Sequence, residues 1–276
     1  MPLWYDEEIH GMRFGLAVTR TLYMARSEFQ EIAVLETEKF GKALLLDGAW
    51  MTAEGDESTY HEMIVHPAMV TAPRIERVLI IGGGDGGTAR EVLRHREVVR
   101  CDLCEIDGQL LEAMKQHLPE IGTAWDDPRL HVHVGDGVEY ARAYAGEPYD
   151  VILVDGCDPV GPAAALFEEP FYRDMERILA DDGILVTQSE DPHIFGDVHI
   201  EVVKRLRKVF GNAHPYYAGV MIYPGNTWSW TYASKSVDHQ KIDYARAERI
   251  EAVADYYNRD IHRGAFAVPN SCLLYT

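Results

Sequence analysis

Cysteine is scarce in this sequence, basic residues are outnumbered, and long uncharged runs are missing. Four scattered cysteines among 276 residues are too few for a disulfide framework. Cys101 and Cys104 form a CxxC, but on a predicted strand, where odd spacing turns them to opposite faces. Zinc or redox use is not expected there. Twelve histidines include His131 and His133, on one face of a predicted strand with no third ligand nearby. A surface or half-buried pair is the expectation, and no metal. Lys and Arg number 26 against 45 Asp and Glu, a formal charge of −19. That balance repels phosphate backbones and anionic lipids, so neither nucleic acid nor a membrane is an expected partner, and it favours cationic ligands. No uncharged run nears the roughly 18 residues of a spanning helix. No charged-then-apolar leader occupies Met1 to Arg20, and a cytoplasmic location is expected. Repeats, low-complexity segments and long linkers are also absent.

What is present, 47% hydrophobic and 26% charged, suits one large domain or a large and a small one. Up to about Thr52, short alternating segments (Arg13 to Tyr23, Phe29 to Glu36, Lys42 to Leu46) meet turn signals such as Asp47-Gly48, predicting a small antiparallel β domain over 1–55. Tyr60, Met63, Ile64 and Pro67 at helical spacing predict a connecting helix over Glu57 to Val70, which Ala72-Pro73 ends. The second domain, 56–276, takes in this connection at 56–72 and then alternates strand and helix. Strands are expected at Val78 to Ile81, Cys101 to Ile106, Leu130 to Val134, Val151 to Val154 and Ile184 to Gln188. Helices are expected at about Thr88 to His95, Gln109 to His117, Val138 to Tyr144, Phe171 to Ala180 and Asp197 to Phe210. This is an α/β fold, a Rossmann-like doubly wound parallel sheet. A hairpin of Tyr216 to Ile222 and Thr227 to Ser234 is expected to close it antiparallel.

Ligands of open α/β sheets bind beyond the carboxyl ends of the strands. That rule gathers Asp85, Glu105, Asp107, Asp136, Asp155, Asp158, Gln188 and Glu190 at one edge. Gly82, Gly84 and Gly87 satisfy GxGxxG, with Glu105 near the spacing of a ribose-binding acid, so a dinucleotide site is one reading. Asp85 argues against it, because a carboxylate serves a pyrophosphate poorly in the same turn. The acid asks for a cation. With Asp136-Gly137 the pattern resembles an S-adenosyl nucleoside site, where Glu105 would bind ribose hydroxyls, Asp136 the adenine amine, and a sulfonium with its attached amine would face the acids. The run from Asp155 to Pro162, with two acids three apart, could be only a turn. Its place after a core strand makes it a stiff loop able to cover the site.

Beyond these readings the chain resembles the spermidine synthase family, the polyamine aminopropyltransferases. The resemblance rests on LWYDEE, SEFQ, LLLDG, YHEM, IGGGDGG, CEID, GDG, DxxDPxGP, YPGNTW and YYNRDIHRGAFAVP in that order, over nearly the whole length. It implies a small β domain before a methyltransferase-like Rossmann domain, a homodimer or homotetramer, and transfer of an aminopropyl group from decarboxylated S-adenosylmethionine, a co-substrate, to a small cationic amine, with no permanently bound cofactor. By the same resemblance Gln30, His61, Asp85, Glu105, Asp136 and Gly137 hold the donor, while Tyr60, Asp158, Gln188 and Tyr223 surround the acceptor. Pro159, Gly161 and Pro162 lie in the gate loop.

The residue types suit that chemistry. The decarboxylated donor bears an ammonium with no carboxylate beside it, so an aspartate in the turn selects it by charge. The acceptor amine must lose a proton before it can attack, and Asp155, helped by the Tyr60 hydroxyl, can take it. One departure from the family pattern is that Gly156 and Cys157 replace small hydroxylated residues between the loop acids, and Asn226-Thr227-Trp228 also differs from the commonest form. These bear on acceptor identity: putrescine comes first, with agmatine, cadaverine or a longer polyamine as alternatives. The rival readings are an S-adenosylmethionine-dependent methyltransferase, a non-catalytic polyamine- or nucleoside-binding protein, and last a dehydrogenase.

Overall fold

The structure is a computed structural model that describes residues 3–270. The outermost positions of both expected domains, and Cys272, lie outside the described residues. Five strands, β1 (Leu3–Ile9), β2 (Met12–Arg26), β3 (Glu31–Thr37), β4 (Gly41–Leu46) and β5 (Ala49–Ala53), form an antiparallel meander in chain order. Apolar residues of β3 to β5 alternate between two cores: Leu35, Ala43, Leu45 and Trp50 face one, and Ile32, Val34, Leu44 and Leu46 the other. Helix α1 (Glu57–Met69) follows, buried from Thr59 to Met69. Helix and sheet enclose it, which is why its polar residues too are buried.

Beyond α1 come β6 (Arg77–Gly82), α2 (Gly87–Leu93), β7 (Arg100–Glu105), α3 (Gly108–His117), β8 (Leu130–Val134), α4 (Gly137–Ala143) and β9 (Tyr149–Asp155). A 3-10 helix at Gly161–Phe167 leads to α5 (Glu169–Ile178), β10 (Leu179–Gln188), α6 (Gly196–Phe210), β11 (Asn212–Ala218) and β12 (Trp228–Ser234). Helices α7 (Tyr244–Glu251) and α8 (Arg259–Ala265) end the fold. The seven-stranded sheet runs β11-β12-β10-β9-β6-β7-β8, parallel from β10 to β8 and antiparallel through β12 and β11. Strands β6 and β9 are continuous apolar runs because both faces are covered. Val78 and Ile80 join the core under α1 and α2, while Leu79 and Ile81 join the core with Phe171, Met175 and Leu206 of α5 and α6.

The expected α/β architecture, a methyltransferase-like sheet after a small antiparallel one, is the one observed. Cys101 and Cys104 go to the two opposite cores. His131 is exposed, and half-buried His133 places Nε2 2.8 Å from Asp102 Oδ1. Two boundaries are corrected. The hairpin's first strand is Asn212–Ala218, not Tyr216 to Ile222, because Gly219 ends the pairing and the next residues leave to contact the first sheet's side of the site. The helix expected to reach Ala180 ends at Ile178, because Leu179 and Ala180 already belong to β10, which opens ahead of the expected Ile184. Among the described residues no helix is long and apolar enough to cross a membrane, and no three His, Cys, Asp or Glu are grouped to hold a metal.

Candidate functional site

The site sits where β6 and β9 end side by side, with Gly82 opposite Asp155. Gly82 has φ +83°, and a Cβ there would lie 2.1 Å from the Asp155 carbonyl oxygen. Only glycine lets the chain turn so tightly against β9. Gly83 N–H then donates to that carbonyl at 2.9 Å, anchoring Asp155. Its carboxylate accepts from Tyr60 Oη on α1 at 2.7 Å and from Thr88 Oγ1 on α2 at 2.6 Å. Burial and the nearby Asp85 push the Asp155 pKa up, against the pull of His61, Thr88 and Tyr60.

On one side of Asp155 lie the residues expected to face a donor. Asp85 Oδ1 accepts from Gly87 N–H at 2.9 Å, and Oδ2 lies 3.0 Å from His61 Nε2. His61 Nδ1 is 2.6 Å from Glu57 Oε2. Burial alone would discharge His61, but Asp85 and Glu57 override it and raise its pKa well above the ordinary value. Burial would likewise raise Glu57, yet His61 and Arg90 hold it at about 2. The turn's acid therefore has a cation from within the protein, which sequence inspection did not supply. At the end of β7, Glu105 is buried and accepts from Asp107 N–H at 2.9 Å. Burial is the main cause lifting it to about 7. Gln30 Nε2 and Ser27 Oγ reach across from the first sheet to Asp107 Oδ2 at 2.9 and 2.7 Å. Asp107 Oδ1 caps α3, so this acid is a structural joint. Asp136 caps α4 through Oδ1, and Gly137 is required because a Cβ would meet Ile81 at 2.6 Å.

The other side is acidic and aromatic. Tyr223 is buried, its hydroxyl donates to the Met51 carbonyl at 2.7 Å, and its ring lies edge-on to Tyr60 at 6.0 Å and Trp228 at 4.5 Å. Burial raises the pKa of Asp158. Gln188 lies beneath the acid loop, its Nε2 donating to the Gly156 carbonyl at 3.2 Å and its Oε1 accepting from Glu190 N–H at 3.0 Å. That places Gln188 under the loop backbone. Pro159 follows Asp158 directly, while Gly161 and Pro162 open the 3-10 helix. Cys157 packs against the core cluster that holds Ile32, Val34, Leu44 and Leu46 of the first sheet, so that sheet forms part of this wall.

Two acids here were not given an acceptor role by sequence reasoning. Glu190 is fully buried at φ +65°, has an Oε2 without a hydrogen-bond partner, and is pushed far up by burial and by Asp158. Its only sequence signal was its place after the last parallel strand. Glu7 of β1 accepts from Trp50 N–H at 3.1 Å, and burial raises its pKa, with Asp158 close enough to contribute. It lies within the LWYDEE motif that helped carry the resemblance, but that motif gave Glu7 no role of its own.

Fold and site together define an enzyme of the methyltransferase-like α/β class, with Asp85, Glu105 and Asp155 gathered where β6, β7 and β9 end. Residues 57–243 match the spermine/spermidine synthase domain, and residues 3–54 match the spermidine synthase tetramerisation domain. A polyamine aminopropyltransferase of Prochlorococcus marinus strain MIT 9313 is 45% identical over 96% of this chain and 94% of its own. One from strain NATL1A is 44% identical over 91% and 87%. A crystal structure of spermidine synthase in complex with the transition-state analogue AdoDATO superposes with a TM-score of 0.96 at 36% identity, covering 100% of this chain and 96% of that one. The spermidine synthase from Thermotoga maritima gives 0.94 at 37% identity, covering 100% and 95%. The chain belongs to the spermine/spermidine synthase family, and it is a transferase.

Proposed function

We propose that this enzyme transfers the aminopropyl group of decarboxylated S-adenosylmethionine to putrescine, giving spermidine and methylthioadenosine. The observation that carries the reading is the Asp155 carboxylate, held by two hydroxyl donors between the Asp85–His61 pair and the acidic pocket of Asp158. Both oxygens accept hydrogen bonds, which favours the anionic form a base needs, while burial raises its basicity. The amine gives one proton to Asp155 and attacks the methylene beside the sulfonium. A C–N bond forms, the C–S bond breaks, and its electron pair leaves on sulfur as a neutral thioether. Orientation supplies much of the acceleration.

Gln30, His61, Asp85, Glu105, Asp136 and Gly137 line the donor side in this reading, and Tyr60, Asp158, Gln188 and Tyr223 the acceptor side, with Glu190 added to it. Gln30 and Gln188 act through the backbone and acids they brace. Pro159, Gly161 and Pro162 form the gate. Because His61 balances Asp85, preference for an ammonium-bearing donor comes from Asp85, Asp155 and Glu105 together. Residues 1–55 and 56–276 serve as an assembly domain and a catalytic domain of a cytoplasmic homodimer or homotetramer, and the match to a tetramerisation domain supports assembly. The test is mass spectrometry of products from putrescine, cadaverine, agmatine and spermidine offered in competition. Spermidine as the dominant product is expected; preference for another amine, which Gly156 and Cys157 would then explain, overturns the putrescine assignment.

A further inference from the structure

Glu57, His61 and Asp85 are the near end of a longer buried chain of charged groups, and the reaction steps above leave the far end unused. Arg90 on α2 closes a fork on Glu57, Nη1 to Oε1 at 3.0 Å and Nη2 to Oε2 at 2.7 Å. Its Nε–H donates to Glu91 at 2.7 Å, and Nη1 donates also to the Ile121 carbonyl at 2.9 Å. Glu91 is fully buried and lies 3.2 Å from His66 Nε2 through its other oxygen. Signs alternate along the path from Asp85 to Glu91, so each buried ion has an opposite neighbour, which burial at this depth demands.

An ionised carboxylate can only accept hydrogen bonds. Both His61 nitrogens face carboxylate oxygens, so both carry protons, and the ring is an imidazolium fixed at two points. We infer that Glu57, held in place by Arg90, is a positioning residue for the donor: it keeps His61 doubly protonated with Nε2–H on Asp85, and so fixes the direction in which Asp85 meets the donor's ammonium. Arg90 is the second positioning residue. Its planar fork sets the Glu57 carboxylate in a way a lysine could only partly copy. This inference rests on the aminopropyl reading and deepens it. Neither side chain touches the reacting atoms; both act through His61.

A plain brace between α1 and α2 would affect stability alone, so the test reads binding and protonation. Glu57→Gln keeps the shape and removes the charge, Arg90→Gln removes the fork, and Arg90→Lys keeps the charge. The calorimetric Kd of decarboxylated S-adenosylmethionine, measured without acceptor, is expected to weaken about tenfold in the first two and to recover in part in Arg90→Lys, while the amine KM at saturating donor moves by less than about twofold. In ¹⁵N spectra of the wild type near neutral pH, His61 is expected to show two protonated nitrogens, with and without donor, and to lose one proton in Glu57→Gln. An unchanged donor Kd in the folded variants, or a neutral His61 in the wild type with or without donor, overturns the inference. The wild-type spectrum decides even where a variant fails to fold. If the wild type releases no methylthioadenosine, the reaction reading fails separately, and the His61 spectrum still decides its protonation.

Discussion

Tyr60 Oη lies 2.7 Å from Asp155 Oδ1, joining the connecting helix to the end of the central strand β9. Thr88 holds the other oxygen at 2.6 Å, so the carboxylate cannot rotate without breaking a bond. Replacing Asp155 by Asn keeps the shape and removes the base. Turnover is expected to fall by about 10³, with the donor Kd nearly unchanged, because general base catalysis contributes on that order. Tyr60→Phe is expected to lose about tenfold, in line with one hydrogen bond to a charged group. Steady-state kinetics with separate donor calorimetry checks both.

Glu105 gives a pH dependence with a definite sign. Its folded pKa is about 7 against 4.5 for the free group, so between these values the folded state holds more protons than the unfolded one. Stability from this group is fully present below about 4.5 and is lost as pH rises through about 7, a change on the order of 3 kcal/mol. A ribose hydroxyl needs the carboxylate as acceptor, so methylthioadenosine is expected to bind more tightly, up to about tenfold per unit, as pH rises toward 7. Calorimetry from pH 5.5 to 8 checks this, and Glu105→Gln should flatten the profile.

Glu190 is buried with one unpartnered oxygen, and the proposed reading puts it on the acceptor side. Glu190→Gln preserves the volume and removes the carboxyl that an arriving ammonium would ionise. The amine KM is expected to rise about tenfold with the donor Kd unmoved, since a lost charge–ammonium contact is worth about that much. A donor effect in place of an acceptor effect would put Glu190 on the other side of the site.

Gly82→Ala tests the backbone that places the base. Its φ of +83° and a Cβ 2.1 Å from the Asp155 carbonyl leave no room for a methyl group. Destabilisation of about 2–4 kcal/mol is expected, seen as a lower thermal midpoint. Activity should fall further than the folded fraction, because Asp155 must shift.

Much of this was legible in the sequence where a local rule decides the outcome. The buried runs of β6 and β9, the glycine turn, and the odd spacing that separates Cys101 from Cys104 each depend on nearby residues alone. Asp107 shows the limit: its position after β7 is that of a ligand, yet one oxygen caps α3 and the other receives Gln30 and Ser27. The hairpin was displaced because alternation in Tyr216 to Ile222 continues past the point where pairing ends, and it is Tyr223 bonding to Met51 that draws the loop away. Helices α7 and α8 were not anticipated. Glu57 and Arg90 stand 33 positions apart, and only the packing of α1 on α2 makes them a pair.

The most direct test of aminopropyl transfer offers the purified enzyme putrescine with either decarboxylated or carboxylated S-adenosylmethionine and weighs the products. Methylthioadenosine and spermidine from the decarboxylated donor, with the carboxylated one unused, is the expected result. Methylated amine and S-adenosylhomocysteine from the carboxylated donor, without aminopropyl product, would contradict it.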